Sequence, residues 1–138
     1  MPNQNEYNQA LQDLILMNRK KIEIKKVWTN ASPTSQFKGQ TIKASLKGYE
    51  FVLIEHAFSI SIAYYTVTLC PVSMNATLKQ LSGAQSANTA YMSRDITVSL
   101  NGVSFSAGQY KTIASSNAGG TDNAFVIPVN IYGMKGVI

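Results

Sequence analysis

The sequence predicts a mainly β domain, a β-sandwich or jelly roll, preceded by one short amphipathic α-helix. Three observations carry that expectation. Apolar residues recur at the helical period only in the first twenty positions, and beyond them the period falls to two, in short runs broken by turn residues. Charged residues are 14% of the 138, against about 25% in ordinary soluble domains, so Ser, Thr, Asn and Gln supply the polar surface. Hydrophobic residues reach 45%, enough for one domain with a real core.

The helix comes first. Tyr7, Ala10, Leu11, Leu14 and Ile15 stand at i, i+3, i+4, i+7 and i+8, one face of a helix of about 12–15 residues. Asn3 and Glu6 have capping-box spacing at its start. A helix this short is marginal alone in water, so its stripe must be covered, by the domain's own sheet or by identical helices of other copies. Residues 1–21 therefore read as an attachment or oligomerisation segment, with Tyr7, Leu11, Leu14 and Ile15 as its joining residues and a trimer as the favoured assembly. Residues 22–138 read as the sandwich.

The strands follow. "KIEIKKVW" sets Ile22 and Ile24 among charges and shifts phase at Lys25 and Lys26, as a half-exposed strand would. "QTIKASL" alternates Ile42, Ala44 and Leu46 with polar neighbours. "YEFVLIEHAFSI" is nearly continuous in apolar residues and predicts a strand buried on both faces. "AYYTVTLCPV" is aromatic and β-branched until Pro71 stops it, and "ITVSL" aligns Ile96, Val98 and Leu100. In "VSLNGVSF" the pair Asn101-Gly102 predicts a tight hairpin with a type I′ turn. "SSNAGGTDN" reads as a loop, and the last strand alternates Phe125, Ile127, Val129 and Ile131. Pro128 cannot donate to a ladder, which predicts an edge position or a bulge there.

Charge and chemistry narrow the function. The net charge is +5, concentrated in Arg19, Lys20, Lys21, Lys25 and Lys26. Glu23 interrupts that run and isoleucines alternate through it, so it predicts a wet strand face and no nucleic-acid contact. No apolar run is long enough for a membrane span, and the polar start "MPNQNEYNQA" predicts no secretory signal peptide. His56 is the single histidine, inside "LIEHAF", where a hydrogen-bonded strand residue is expected; no Gly-x-Ser-x-Gly elbow accompanies it. The seven acidic residues show no spacing that selects a catalytic pair, and one histidine with one cysteine (Cys70) cannot supply the usual zinc sets. The expectation is a non-enzyme without metal or cofactor. Aromatic residues beside amides and hydroxyls suit sugar stacking instead.

Two stretches resemble a family. "KKVWTNASPTSQFKGQTIKASLKGYEFVLIE", Lys25 to Glu55, resembles a module of tail and baseplate proteins of tailed bacteriophages and prophages. Its Trp28, Asn30, Ser32-Pro33-Thr34-Ser35 and Phe37 stand as in that module, followed by "QTI" and a Tyr-Glu strand. The ending "NAFVIPVNIYGMKG" is similar to the family's closing strand. The likeness covers about residues 25–135, loosely over residues 60–95, and rests mostly on turns, strand starts and core positions. It implies a structural virion protein made in the host cytoplasm, a tail, baseplate or fibre component that meets other virion proteins and attaches to host-surface glycan. It also implies that the greasy C-terminus is the final strand of the sandwich. A capsid decoration or head fibre is the alternative, and a glycan-degrading tail enzyme a remote third. Tyr110, Asn117 and Asp122, near one loop end, are the candidate glycan contacts.

Overall fold

A computed structural model describes residues 3–18, 21–61, 65–81, 90–112 and 119–137. The chain runs α1 (Gln4–Asn18), β1 (Lys21–Thr29), β2 (Gln40–Lys43), β3 (Phe51–Ser59), β4 (Tyr65–Pro71), β5 (Asn75–Leu81), β6 (Ala90–Ser99), β7 (Gly102–Phe105), β8 (Gln109–Thr112), β9 (Gly119–Thr121) and β10 (Phe125–Val137). The fold is mainly β, two antiparallel sheets facing one core, with one helix at the N-terminus. The capping box forms as its spacing predicts: the Glu6 amide donates to Asn3 Oδ1 at 2.9 Å and the Asn3 amide to Glu6 Oε2 at 3.2 Å.

Sheet A has the order β1-β10-β3-β4. In sheet B, β6 pairs with β5 on one side and with β7 and then β8 on the other; β2 continues from β7 and β9 from β8. The core between the sheets holds Val52, Ile54, Ile127 and Ile131 from sheet A and Leu78, Met92, Ile96, Val98, Val103 and Phe105 from sheet B. Phe37, from the loop after β1, closes one end through edge-on contacts with Trp28 (6.3 Å) and Phe105 (5.4 Å).

Several expectations are corrected. β10 is an interior strand, paired to β1 and β3, and Pro128 sits at a bulge where the register to β3 shifts between Pro128 and Asn130. The edge alternative is therefore wrong and the bulge alternative right. Asn30 secures the bulge: its amide donates to the Val129 carbonyl (2.7 Å) and its side chain to the Pro128 carbonyl (2.8 Å). A bulge in β1 between Lys26 and Trp28 matches the phase shift at the paired lysines. The hairpin β6–β7 forms one residue earlier than Asn101-Gly102 suggests, with Ser99 opposite Gly102 and Leu100-Asn101 as its loop. Neither loop residue has positive φ, so the turn is not type I′. Gly102 is needed for another reason: a Cβ there would clash with the Ile42 carbonyl of β2. "SSNAGGTDN" includes a short strand, β9, and "NATLKQL" forms β5, which alternation did not reveal. β2 ends at Lys43; Leu46 is buried beyond it.

His56 takes the place expected of it. Fully buried on the core side of β3, its Nε2 lies 3.0 Å from Thr68 Oγ1. Burial disfavours the imidazolium and lowers its pKa from 6.5 to about 4. The unfolded chain thus takes up this proton first as pH falls. The contribution of neutral His56 to stability is complete above pH 6.5 and is lost down to pH 4, about 3 kcal/mol at 1.36 kcal/mol per pKa unit. Urea midpoints measured across that window will show the loss, and His56→Gln will flatten it.

Candidate functional surfaces

Antiparallel pairing places opposed residues on one face, so the register defines what each sheet presents outward. On sheet A, two outward rows cross all four strands. One runs Leu69, Leu53, Tyr132, Lys26; the next runs Pro71, Phe51, Met134, Ile24. Ile22, opposite Gly136, extends the patch. Half or more of the surface of Ile22, Ile24, Val67 and Leu69 is exposed. A polar row bounds it: Thr29 Oγ1 donates to Asn130 Oδ1 (2.6 Å), and Asn130 Nδ2 to Glu55 Oε1 (2.8 Å).

That face corrects two expectations. β3 is not buried on both sides: Val52, Ile54 and His56 are covered, while Phe51, Leu53 and Glu55 stay half-exposed. β1 does not turn its isoleucines inward either; Ile22 is 65% exposed and Ile24 55%. β4 inverts the usual sense of alternation, with Thr66, Thr68 and Cys70 facing inward and Tyr65, Val67 and Leu69 facing out. Burial raises the pKa of the Cys70 thiol.

The outward face of sheet B has the opposite chemistry. Thr41, Ser104, Thr97 and Asn75 share one row, and Asp95 stands opposite Thr77. Hydroxyls pair across it, Thr41 Oγ1 with Ser104 Oγ at 2.9 Å and Thr77 Oγ1 donating to Asp95 Oδ1 at 2.8 Å. Two shallow depressions lie on this sheet. The larger, about 410 Å³, is lined by Gln109, Tyr110, Lys111, Gly119, Gly120 and Thr121. The smaller, about 280 Å³, is lined by Asn75, Thr77, Asp95 and Thr97 with Ala76 and Ile96.

The larger depression contains one of the three candidate glycan contacts. Tyr110 is half-buried in β8, packs against the core, and laps Gly120; a Cβ added at Gly120 would stand 3.2 Å from Tyr110 Cε1. Asp122 follows β9 directly, but its carboxylate is engaged, with Oδ1 accepting from the Ala124 amide at 3.0 Å. Asn117 lies outside the described residues. The helical candidates Tyr7, Leu11, Leu14 and Ile15 are 66%, 56%, 54% and 43% exposed, so their stripe is uncovered in the single chain. Among the described residues no three His, Cys, Asp or Glu side chains gather as a metal site, and no helix is long and apolar enough to cross a membrane.

Sequence reasoning missed Arg94, which is completely buried in β6 and anchors this end of the sandwich. Its Nε donates to the Val126 carbonyl (3.0 Å), Nη1 to Ser106 (2.6 Å) and Nη2 to Phe125 (3.2 Å), and its guanidinium lies over the Phe37 ring. Desolvation lowers its pKa to about 10, so it keeps its charge at neutral pH. One arginine thus joins β6, the break between β7 and β8, and the start of β10.

No family model, curated protein or solved structure matches the chain.

Proposed function

We infer that the chain is a structural virion protein of a tailed bacteriophage, a tail, baseplate or fibre component present in several copies that contributes to host-glycan attachment. The observation that carries this reading is the contrast between the two outward faces of one sandwich. Sheet A and the α1 stripe offer apolar surface, which water penalises until another protein covers it. Sheet B offers hydroxyls, amides and a tyrosine edge in shallow depressions, the chemistry that holds sugars weakly. Weak single contacts become firm attachment when several copies act together. The phage assignment itself rests on the resemblance of residues 25–55 and 123–136 to tail and baseplate modules. A capsid decoration or head fibre is the second reading, favoured by the large area available for joining subunits.

The test has two arms. Immunogold labelling of intact particles locates the protein; label absent from virions rejects the reading, and label on the shell selects the second one. Isothermal titration with host cell-wall glycan measures attachment. Tyr110→Phe keeps the ring packing and removes the hydroxyl, and is expected to weaken binding roughly fivefold, the worth of one hydrogen bond of about 1 kcal/mol. Unchanged affinity would remove the Tyr110 depression from the attachment surface.

A further inference from the structure

We propose that the outward face of sheet B holds an acidic glycan, a sugar ring laid on Tyr91 and its carboxylate or phosphate drawn to Lys79 and Lys111. The inference rests on reading sheet B as the attaching surface, and it names the aromatic platform and the class of sugar. Three observations converge on it.

The first is the pairing register. Directly opposed residues of an antiparallel ladder share a face. Met92 and Arg94 are buried, so Tyr91, Ser93 and Asp95 turn outward on β6. Lys79, Ser93, Gln109 and Thr121 then form one outward row across β5, β6, β8 and β9. Tyr91, Lys111 and Gly119 stand in the next row. Tyr110 is opposite the buried Met92 and packs against the core, so the ring on the outward face is that of Tyr91. From Lys79 to Thr121 is three strand spacings, about 14 Å, which leaves room for a short oligosaccharide.

The second is the chemistry of the two rows. Tyr91 is half-buried and combines an apolar ring with a polar tip. The Ser93 and Thr121 hydroxyls and the Gln109 amide supply donors and acceptors beside it, as sugar hydroxyls require. Gly119 has no side chain to fill the space beyond Lys111, and both residues line the 410 Å³ depression with Gln109 and Thr121.

The third is charge. Lys79 Nζ stands 6.0 Å from the centre of the Tyr91 ring, at the outer limit of a cation–π attraction. Lys111 faces Tyr91 from the strand on its other side. Both lysines are exposed. No Asp or Glu occurs between Lys79 and Arg94 or between Ile96 and Thr121. Among the described residues the one ion pair, Lys135 with Glu23, belongs to sheet A. The acid on this face is Asp95, four residues along β6 from Tyr91, about 13 Å away, where its Oδ1 accepts from Thr77. Asp122, next to Thr121, is engaged by the Ala124 amide. Two cations flanking a ring, with no carboxylate to neutralise them, favour a sugar that brings its own negative charge. An acidic peptide would use the lysines and leave the ring and the hydroxyl row idle.

Isothermal titration of the full-length chain tests it with three matched probes: trigalacturonate, its carboxyl-reduced neutral form, and a phosphodiester-linked galactose trimer. One acidic probe is expected to bind about tenfold more tightly than the neutral one, the worth of two exposed charge contacts, and which one does so decides between carboxylate and phosphate. Lys79→Gln and Lys111→Gln should each weaken that probe about threefold and leave the neutral one unchanged. Tyr91→Ala should weaken charged and neutral probes alike. Circular dichroism checks the fold of each variant, and the two lysine variants, at exposed positions, carry the test if Tyr91→Ala unfolds. Equal affinity for charged and neutral probes, or lysine variants that bind as the wild type does, would overturn the proposal. So would a triglutamate peptide bound as tightly as trigalacturonate, because charge alone would then suffice. Host cell-wall glycan is titrated alongside. If it binds while all three probes fail, the proposal falls and attachment stands; if it fails too, the attachment reading falls as well.

Discussion

Removing residues 125–138 is expected to abolish cooperative folding. β10 supplies Val126, Ile127, Val129 and Ile131 to the core, all buried. At about 1.5–3 kcal/mol for each buried aliphatic side chain, their loss costs about 6–12 kcal/mol. That equals the whole stability of a typical domain, about 5–15 kcal/mol. The ladder suffers as much as the core. Among the described residues β1 pairs with β10 alone, so truncation detaches β1 and leaves β3 as an unprotected edge. Two of the three carbonyls that hold Arg94 also disappear. The measurement is thermal unfolding followed by near-ultraviolet circular dichroism, with no sigmoidal transition and no fixed aromatic signal expected. A truncated chain that unfolds cooperatively would mean that β3 and β4 form a stable sheet with sheet B by themselves, against the pairing described here.

The position of that strand shows what the sequence made legible. The change of period after Asn18, the phase shift at Lys25-Lys26 and the bulge at Pro128 are local steric facts, and each is visible in a few adjacent residues. The direction in which a strand faces is not local. Alternation in "YTVTLCP" separates Thr66, Thr68 and Cys70 from Tyr65, Val67 and Leu69, but symmetry leaves open which set lies inside. Hydrophobicity suggests the apolar set. The fold chooses the other, because Thr68 is the partner of His56 and the covered side of β3 is already fixed by Val52 and Ile54. The apolar face of sheet A, one of the two functional surfaces proposed, was therefore hidden within runs that look like ordinary core strands. β5, β8 and β9 escaped for a simpler reason: two of them are only three or four residues long, and β5 has few apolar residues to mark its period. Of the candidate glycan contacts, Tyr110 borders a depression, while the Asp122 carboxylate serves a turn.

Arg94 was the least legible residue and should be among the most costly to change. "MSRDITV" sets it between Ser93 and Asp95 on a strand where an arginine would ordinarily point to water. The register puts Arg94 opposite Leu78, on the core side, because Met92 and Ile96 two positions away on either side are both buried. A buried cation survives only when it is well paired, and here three backbone carbonyls, one for each guanidinium nitrogen, and an aromatic face take that role. Val126 has a φ of 52°, a left-handed conformation that a β-branched residue adopts only when neighbours enforce it. The Arg94 bonds to the Phe125 and Val126 carbonyls on either side of that strained α-carbon hold the peptide in place. Arg94→Leu leaves three carbonyls without their donor and releases the constraint on Val126. At about 1–3 kcal/mol for each orphaned acceptor, a loss of about 3–5 kcal/mol is expected even if water reaches one of them. Arg94→Lys should recover little, because a single ammonium on a flexible stem cannot span carbonyls contributed by two separate segments. Denaturant titration measures both variants. A shift of less than 1 kcal/mol for Arg94→Leu, with the fold kept, would mean that core packing alone fixes the start of β10 and that the guanidinium is incidental to it.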